Sequence, residues 1–135
     1  YANYTKSSHL RYDAKNIRLW ELIQKQGDLH PIVKGGVITH IWLGDRTPDP
    51  DALWELTKNI CKNTNTAYFS FTFDFSYCTD CGLFEKGRIE GNCPKCGASE
   101  HKIEWYSKIT GYYSRVKRWN EGKQQEWKDR TRWNL

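Results

Sequence analysis

The residues best suited to chemistry in this chain are four cysteines arranged as two Cys-x-x-Cys pairs. Cys78 and Cys81 form the first pair, Cys93 and Cys96 form the second, and 11 residues separate the pairs. Two thiolates at this spacing can bind one ion, and the glycine that follows each pair lets the backbone turn around it. The four cysteines therefore predict a tetrahedral four-sulfur site, for which Zn2+ is the default ion. Because no position is left for water or substrate, the metal is expected to be structural.

Two other uses of these cysteines stay open at the level of sequence. Disulfide pairing is disfavoured because the chain has 5 cysteines, an odd number, and shows no secretion signal. Iron is the competing ion because the paired knuckles are similar to those of rubredoxins, although the short spacer argues against a complete rubredoxin. An iron-bound electron carrier of this kind would be red. The fifth cysteine, Cys61, is expected to be a small, partly buried apolar residue rather than a reactive thiol.

The second stretch that could serve chemistry is residues 108–122, which include Gly111. This glycine lies between Thr110 and Tyr112, interrupts a run of β-prone residues and is followed by basic side chains. The pattern predicts a loop rather than a helix or a strand. Taken alone, such a glycine indicates a turn with positive φ.

The positive charge of the chain is concentrated near its C-terminal end. Residues 1–100 carry 12 Lys/Arg against 12 Asp/Glu, whereas residues 101–135 carry 9 against 4, so the last segment holds the whole net charge of +5. Such a segment suits nucleic acid, an anionic substrate, an acidic partner or simple solvation. No apolar run of about 18 residues is present, so no membrane partner is expected, and the cysteine usage favours a cytoplasmic protein.

The elements that must position these residues alternate between helix and strand. Apolar residues on one face predict a helix over 16–26, which Gly27 ends, and a second helix, capped by Asp49, runs to about residue 62. Between the helices, the apolar run 37–43 predicts a strand that is buried on both faces. His40, inside this strand, is expected to be a hydrogen-bonded core histidine.

A further strand is predicted over residues 67–77, where phenylalanines on one face alternate with polar side chains on the other. Strand, helix and strand in this order imply a parallel pair joined by a right-handed crossover. Two strands and two helices leave sheet edges, and the polar face of this strand, without a partner in this chain. We therefore expect the α/β unit to complete a larger α/β sheet or barrel.

Together these motifs resemble the C-terminal region of anaerobic, class III ribonucleoside-triphosphate reductases. The resemblance rests on the two cysteine pairs, on Ile-Thr-Gly-Tyr at 109–112, and on Arg-Trp-Asn-Glu-Gly-Lys at 118–123 with Glu126 beyond it. It covers essentially the whole chain. The upstream stretches that take part are residues 4–10, residues 35–41 and the strand that ends at Cys78.

The resemblance divides the chain into three parts. Residues 1–77 would be a helix and a strand-helix-strand segment that completes the α/β barrel of a glycyl radical enzyme. Residues 78–100 would be a four-cysteine zinc ribbon, and residues 101–135 an irregular glycyl radical loop with a basic tail. In that family, the glycine that matches Gly111 is converted to a stable backbone radical. Loss of an α-hydrogen delocalises the unpaired electron over a planar centre, which a side chain would oppose.

The resemblance also implies partners outside this chain. A partner activase that carries a 4Fe-4S cluster cleaves S-adenosylmethionine, and the resulting deoxyadenosyl radical removes hydrogen from the glycine. The glycyl radical then generates a thiyl radical on a cysteine of the upstream catalytic barrel, where the ribonucleoside triphosphate is reduced to the 2′-deoxyribonucleoside triphosphate. Formate or a thiol system supplies the reducing equivalents, and the complete enzyme is expected to be a homodimer.

The sequence differs from the family pattern in two ways. Lys108 stands where the family usually has Arg, which keeps the charge but loses the bidentate fork. None of the 5 cysteines matches the thiyl residue, because four belong to the pairs and Cys61 lies where the family places no catalytic cysteine. We therefore expect this chain, which begins with Tyr1, to be a fragment, a processed product or a separately encoded part, and to be inactive alone.

A zinc-ribbon module that binds nucleic acid is the rival hypothesis from another functional class. Its basis is the basic tail and five aromatic residues that could stack on bases. Because the tail also carries acidic residues, and aromatic residues at such spacing more often pack than stack, nucleic acid is not the favoured partner. The five aromatic residues are Tyr112, Tyr113, Trp119, Trp127 and Trp133.

Overall fold

A computed structural model describes residues 16–135; the stretch 4–10, part of the family resemblance, lies outside these residues. The described chain contains three α-helices and six β-strands. The helices are α1 (Leu19–Gly27), α2 (Pro50–Asn63) and α3 (Glu121–Lys128). The strands are β1 (Thr39–Trp42), β2 (Phe69–Thr72), β3 (Phe75–Cys78), β4 (Phe84–Lys86), β5 (Ile103–Lys108) and β6 (Tyr113–Arg115). No helix within residues 16–135 is long and apolar enough to cross a membrane.

The first half of the fold is an α/β unit made of α1, β1, α2 and β2. Strands β1 and β2 pair in parallel, with Thr39 opposite Phe69, which confirms the predicted parallel pair. Helix α2 begins as the sequence predicts, because the Asp49 carboxylate accepts a hydrogen bond from the Asp51 amide at 2.9 Å and Pro50 occupies the first turn. Helix α1 starts at Leu19, later than predicted, and includes Gly27.

The core of the α/β unit is formed by four aliphatic residues, which come from α1, from β1 and the residue after it, and from α2. At most 3% of each residue is exposed to solvent, and half-buried rings from α1 and β2 surround them. The four residues are Ile23, Ile41, Leu43 and Ile60. This core holds β1 against α1 and α2, and the phenylalanine rings of β2 pack onto it.

The phenylalanine-rich segment forms two strands rather than one. The strand is interrupted at Phe73 and Asp74, so that β2 stays in the parallel pair and β3 joins a second, antiparallel sheet. From Thr72 onward the polar face is the more deeply buried one, since at most 4% of Thr72, Asp74 or Ser76 is exposed, whereas Tyr68 at its start is 59% exposed. The expectation that this face lacks a partner in the chain is therefore wrong, because groups from β5 and the C-terminal tail bind Asp74.

The second sheet has the strand order β4-β3-β5-β6, and every pair in it is antiparallel. Its longest strand, β5, pairs Ile103 with Cys78 at one end and Lys108 with Tyr113 at the other. The six residues of β5 span roughly 17 Å at the usual rise of a strand. Strand β5 therefore joins the cysteine pairs to the segment that contains Gly111.

The C-terminal tail returns to the α/β unit. The Trp133 amide donates to the Trp42 carbonyl at 2.8 Å, and the Gly44 amide donates to the Trp133 carbonyl at 2.8 Å. Farther along, the Asp49 amide donates to the Leu135 carbonyl at 3.0 Å. The two bonds of Trp133 lie along the edge of β1 that faces away from β2, so the tail extends the small sheet and ties the two halves of the fold together.

Candidate metal centre and glycine hairpin

The two cysteine pairs lie on similar turns. In each turn the glycine after the second cysteine adopts a positive φ, 71° at Gly82 and 74° at Gly97. The Gly82 amide donates to the Cys78 carbonyl, and the Gly97 amide donates to the Cys93 carbonyl, both at 2.9 Å. An added Cβ would meet nothing within 4 Å at either glycine, so backbone conformation rather than packing requires glycine there.

The turns bring the four sulfurs together as the sequence predicts. All four Sγ atoms lie within 4.8 Å of one another, with Cys78 and Cys96 separated by 3.8 Å and Cys81 and Cys93 by 3.7 Å. A tetrahedral ion with bonds of about 2.3 Å places its sulfurs about 3.8 Å apart, whereas a disulfide requires about 2.05 Å. The four thiols are not cross-linked, and their geometry fits one four-coordinate metal ion.

The backbone around Cys93 favours the thiolate form that a metal requires. The Cys96 amide, with a smaller contribution from the Lys95 amide, lowers the pKa of Cys93 to about 7 despite the opposing effect of desolvation. At Cys96 the Ala98 amide acts in the same direction, but desolvation and the other three thiols outweigh it and raise the pKa of Cys96 to about 12. Cys78 and Cys93 are buried together with Ile103, the first residue of β5. The metal-binding turns are therefore packed directly against the strand that leads to Gly111.

Gly111 lies at the tip of a β-hairpin. Residues 109–112 connect β5 to β6 without helix or strand, and Gly111 itself is exposed. The loop predicted over residues 108–122 is confirmed for this connection only, because Lys108 ends β5, residues 113–115 form β6 and α3 begins at Glu121. The φ of Gly111 lies outside the positive region, unlike the turn glycines Gly82 and Gly97, and an added Cβ would meet nothing within 4 Å. The interpretation of Gly111 as a turn with positive φ is therefore wrong, and neither backbone conformation nor local packing requires a glycine at this position.

A buried polar network that the sequence analysis missed lies under the hairpin. The Ser107 hydroxyl donates to the Asp74 carboxylate, which also accepts a hydrogen bond from Arg132 Nε at 2.7 Å. Arg130 Nη1 in turn donates to the Ser107 hydroxyl at 3.0 Å. Asp74, Ser107 and Arg130 are buried. The alternating polar face of residues 67–77 is the signal that could have pointed to this network.

Arg130 is held by Glu126 of α3. Its Nε and Nη2 atoms each lie 2.8 Å from a carboxylate oxygen of Glu126, and the two side chains are 1% and 2% exposed. The expectation of a solvated or docked basic tail thus fails for Arg130 and for the mostly buried Arg132, which both form ion pairs inside this chain. The one sequence signal for the Glu126–Arg130 pair is its i,i+4 spacing.

His40, in β1, lies beside the buried polar network and contacts Thr72 and Trp42. Its Nδ1 lies 3.1 Å from the Thr72 hydroxyl, and its ring stacks on Trp42 with 4.6 Å between ring centroids and 20° between planes. Its Nε2 has no hydrogen-bond partner within residues 16–135, so the expectation of a hydrogen-bonded core histidine holds for one nitrogen only. Burial lowers the pKa of His40 to about 4, although the backbone of Thr110 favours the protonated ring.

Cys61 is exposed, and the expectation of a partly buried residue is wrong for it. Its neighbour Ile60 is fully buried, and successive residues of a helix point about 100° apart, so Cys61 is turned away from the core. It lies on α2, outside the network and the metal-binding turns.

Most of the aromatic residues invoked for nucleic-acid stacking are packed inside the protein. Trp119 is 8% exposed and Trp127 is 2% exposed, and Trp133 packs against the core of the α/β unit. Tyr113, at 40% exposure, donates its hydroxyl to the Phe73 carbonyl at 3.0 Å, which leaves Tyr112, at 71%, as the one freely presented ring of the five. These positions do not form a platform for successive bases.

The fold and the cysteine cluster define a mixed α/β segment with a metal-binding ribbon and a glycine-tipped hairpin. The sequence model of the family described as anaerobic ribonucleoside-triphosphate reductase matches residues 2–133. A solved structure described as anaerobic ribonucleotide reductase is similar to the chain with a TM-score of 0.70, at 27% identity over 95% of this chain. No curated protein matches the chain significantly.

The chain belongs to the anaerobic ribonucleoside-triphosphate reductase family, which is a family of oxidoreductase enzymes. It spans 20% of the length of the similar solved structure. That structure therefore represents a larger enzyme, of which this chain corresponds to one part.

Proposed function

We propose that this chain is the glycyl-radical-bearing C-terminal part of an anaerobic ribonucleoside-triphosphate reductase and stores the radical at Gly111. The remaining enzyme would supply the catalytic barrel, the thiyl cysteine and the site for the ribonucleoside triphosphate. Residues 1–77 would complete that barrel, and 101–135 would present the radical to it. The chain alone would be inactive, because none of its cysteines is placed to serve as the thiyl residue.

The observation that carries this proposal is the lack of any conformational or steric need for glycine at position 111. An L-residue would be accommodated there, because φ is not positive and the space around Cα is open. A radical at Cα supplies a different reason for glycine, since delocalisation over both flanking peptides requires a planar centre without a side chain. Exposure of Gly111 also suits access by an activase, followed by burial against the barrel.

Hydrogen-atom removal from Gly111 would be supplied by a partner activase that uses S-adenosylmethionine and a 4Fe-4S cluster. What this chain contributes is a Cα at the end of a paired hairpin, with Thr110 and Tyr112 on either side. The exposed ring of Tyr112 would be covered when the hairpin tip enters the barrel. Cytoplasmic localisation, and a homodimer for the complete enzyme, belong to the same proposal.

For the metal centre we favour structural Zn2+ held by Cys78, Cys81, Cys93 and Cys96. Four thiolates leave no open coordination position, and the sulfur separations suit a tetrahedral ion. The metal would fix one end of β5, so that the hairpin at its other end projects in one direction. Iron in the same site would colour the isolated protein red, so metal analysis and an absorption spectrum separate the two ions.

The test is electron paramagnetic resonance of the complete enzyme after anaerobic incubation with a cognate activase, reductant and S-adenosylmethionine. We expect a glycyl doublet that is absent from Gly111→Ala. Gly35→Ala is the matched control, because Gly35 also has an unremarkable φ and open space around Cα, and it should leave the doublet intact. Failure of the unaltered enzyme to form a doublet with a competent activase would refute the proposal.

A further inference from the structure

The buried Arg130 side chain donates hydrogen bonds to two residues at the stem of the hairpin. Its Nη2 donates to the Lys108 carbonyl at 2.9 Å, and its Nη1 donates to the Ser107 hydroxyl at 3.0 Å. Lys108 is the last residue of β5 and pairs with Tyr113 across the hairpin. The guanidinium therefore holds the strand three residues before Gly111, from the buried side.

The guanidinium is itself fixed on two further sides. Its Cζ lies 3.7 Å from the centroid of the Trp42 ring, and Glu126 binds it through two hydrogen bonds of 2.8 Å. Trp42 belongs to β1 and Glu126 to α3, so Arg130 links the hairpin to both halves of the fold. Arg130 itself lies in the irregular segment after α3, but a strand and a helix hold its guanidinium, so these elements position its hydrogen bond to the Lys108 carbonyl.

Stability alone is a poor explanation for a pair as buried as Arg130 and Glu126. Removing two charges from water is costly, and apolar residues of similar volume often replace a buried ion pair without loss of stability. What an apolar pair could not supply is directional bonding to the Lys108 carbonyl. A planar guanidinium with five N–H donors can bind a carboxylate, a hydroxyl and a carbonyl at once, in a fixed geometry.

His40 packs on the same aromatic ring from β1. Its imidazole stacks on Trp42, which Arg130 also contacts, and its Nδ1 lies 3.1 Å from the Thr72 hydroxyl. The Trp42 stack, defined as His40, Trp42 and Arg130, thus joins β1 to the C-terminal tail, and its guanidinium binds the Lys108 carbonyl.

We propose that Arg130, seated on the Trp42 stack and paired with Glu126, is a positioning residue that sets the orientation of the Gly111 backbone. The inference rests on the proposed storage of a radical at Gly111 and adds the residue that orients the radical-bearing backbone. A planar radical centre depends on the orientation of its two flanking peptides. Its reaction with an activase, and then with a thiol, depends on where the Cα points. Arg130 influences the orientation of the flanking peptides and the direction of the Gly111 Cα through the hairpin stem, and it touches no reacting atom.

The test uses the complete enzyme and a double variant, Arg130→Met with Glu126→Leu, which removes the clamp without leaving a buried unpaired charge. Arg130→Lys is the conservative variant, and Arg46→Met at an exposed arginine is the control. The first readout, hydrogen exchange of the amides of β6 and the end of β5, does not depend on the radical. Loss of hydrogen bonds to a charged donor should speed this exchange at least about tenfold in the double variant, while metal content stays unchanged.

The second readout is the glycyl signal per enzyme molecule. We expect the double variant to form about tenfold less radical with an altered doublet shape, Arg130→Lys to recover part of both, and Arg46→Met to match the unaltered enzyme. Unchanged exchange and an unchanged doublet in the double variant would overturn the inference. If the unaltered enzyme forms no doublet, the proposed function fails, while the exchange measurement still decides whether Arg130 orders the hairpin.

Discussion

Replacing Asp74 by Asn should lower the free energy of unfolding by about 3 kcal/mol, because it removes one partner of a buried ion pair. The Asp74 side chain is 4% exposed and that of Arg132 is 13% exposed, so solvent screens their interaction little. Two Arg132 nitrogens lie 2.7 Å and 2.5 Å from the same carboxylate oxygen, and the Ser107 hydroxyl donates to the other. Breaking such a pair costs about 3–5 kcal/mol, and the lower value applies because Asn keeps one acceptor.

The assay is denaturant unfolding of the metal-loaded chain, followed by tryptophan fluorescence. The matched control is Glu55→Gln, which removes an equally close partner from Lys58 in a pair whose side chains are 64% and 35% exposed, and it should cause no resolvable change. A double-mutant cycle with Arg132→Met isolates the coupling between the two side chains. A loss below about 1 kcal/mol for Asp74→Asn would refute the assignment of this network as a structural junction.

Three further predictions follow from other parts of the structure. Cys93→Ser should lose the bound metal and then reduce the radical yield in the complete enzyme, as metal analysis and electron paramagnetic resonance would reveal; an unchanged yield in metal-free protein would contradict the anchoring role of the ribbon. Gly111→Ala should leave the free energy of unfolding unchanged or raise it by up to about 1 kcal/mol, because the site accepts a Cβ without strain; marked destabilisation in a denaturant titration would show that position 111 needs glycine for folding. The pKa of His40 is about 4 in the folded chain, below its ordinary value of 6.5, so the unfolded chain binds the extra proton and stability should rise with pH from about 4 to 6.5 and stay level above. His40→Gln should flatten that rise by roughly 2 kcal/mol, and an identical pH profile for the variant would show that another group causes it.

The metal site could be predicted from the sequence because its geometry is local. Within each pair the two thiols are separated by two residues, and the glycine after Cys81 or Cys96 supplies the φ that the turn requires. The cap at Asp49 and the parallel pairing of β1 with β2 were accessible for a similar reason, since each depends on short-range pattern and chain order.

The buried network could not be predicted because its members are far apart in sequence. Asp74 is 33 residues from Ser107 and 58 residues from Arg132, and nothing in the local pattern of either partner indicates the other. The break at Phe73 and Asp74 has the same origin, since the strand changes sheets where these distant groups bind it. An alternating pattern identifies the two faces of a strand, but it does not determine which face the remaining chain will cover.

The return of the C-terminal tail to β1 has a consequence for a protein that is cut at its hairpin tip. A break at Gly111 would sever the covalent chain, yet residues 111–135 would still be bound through β6, through Arg130 and Arg132, and through the backbone bonds of Trp133. A nicked molecule should therefore migrate as one particle under native conditions and as two pieces after denaturation. Cleavage at the tip would abolish the proposed radical storage at Gly111 and leave the fold of the nicked chain almost unchanged.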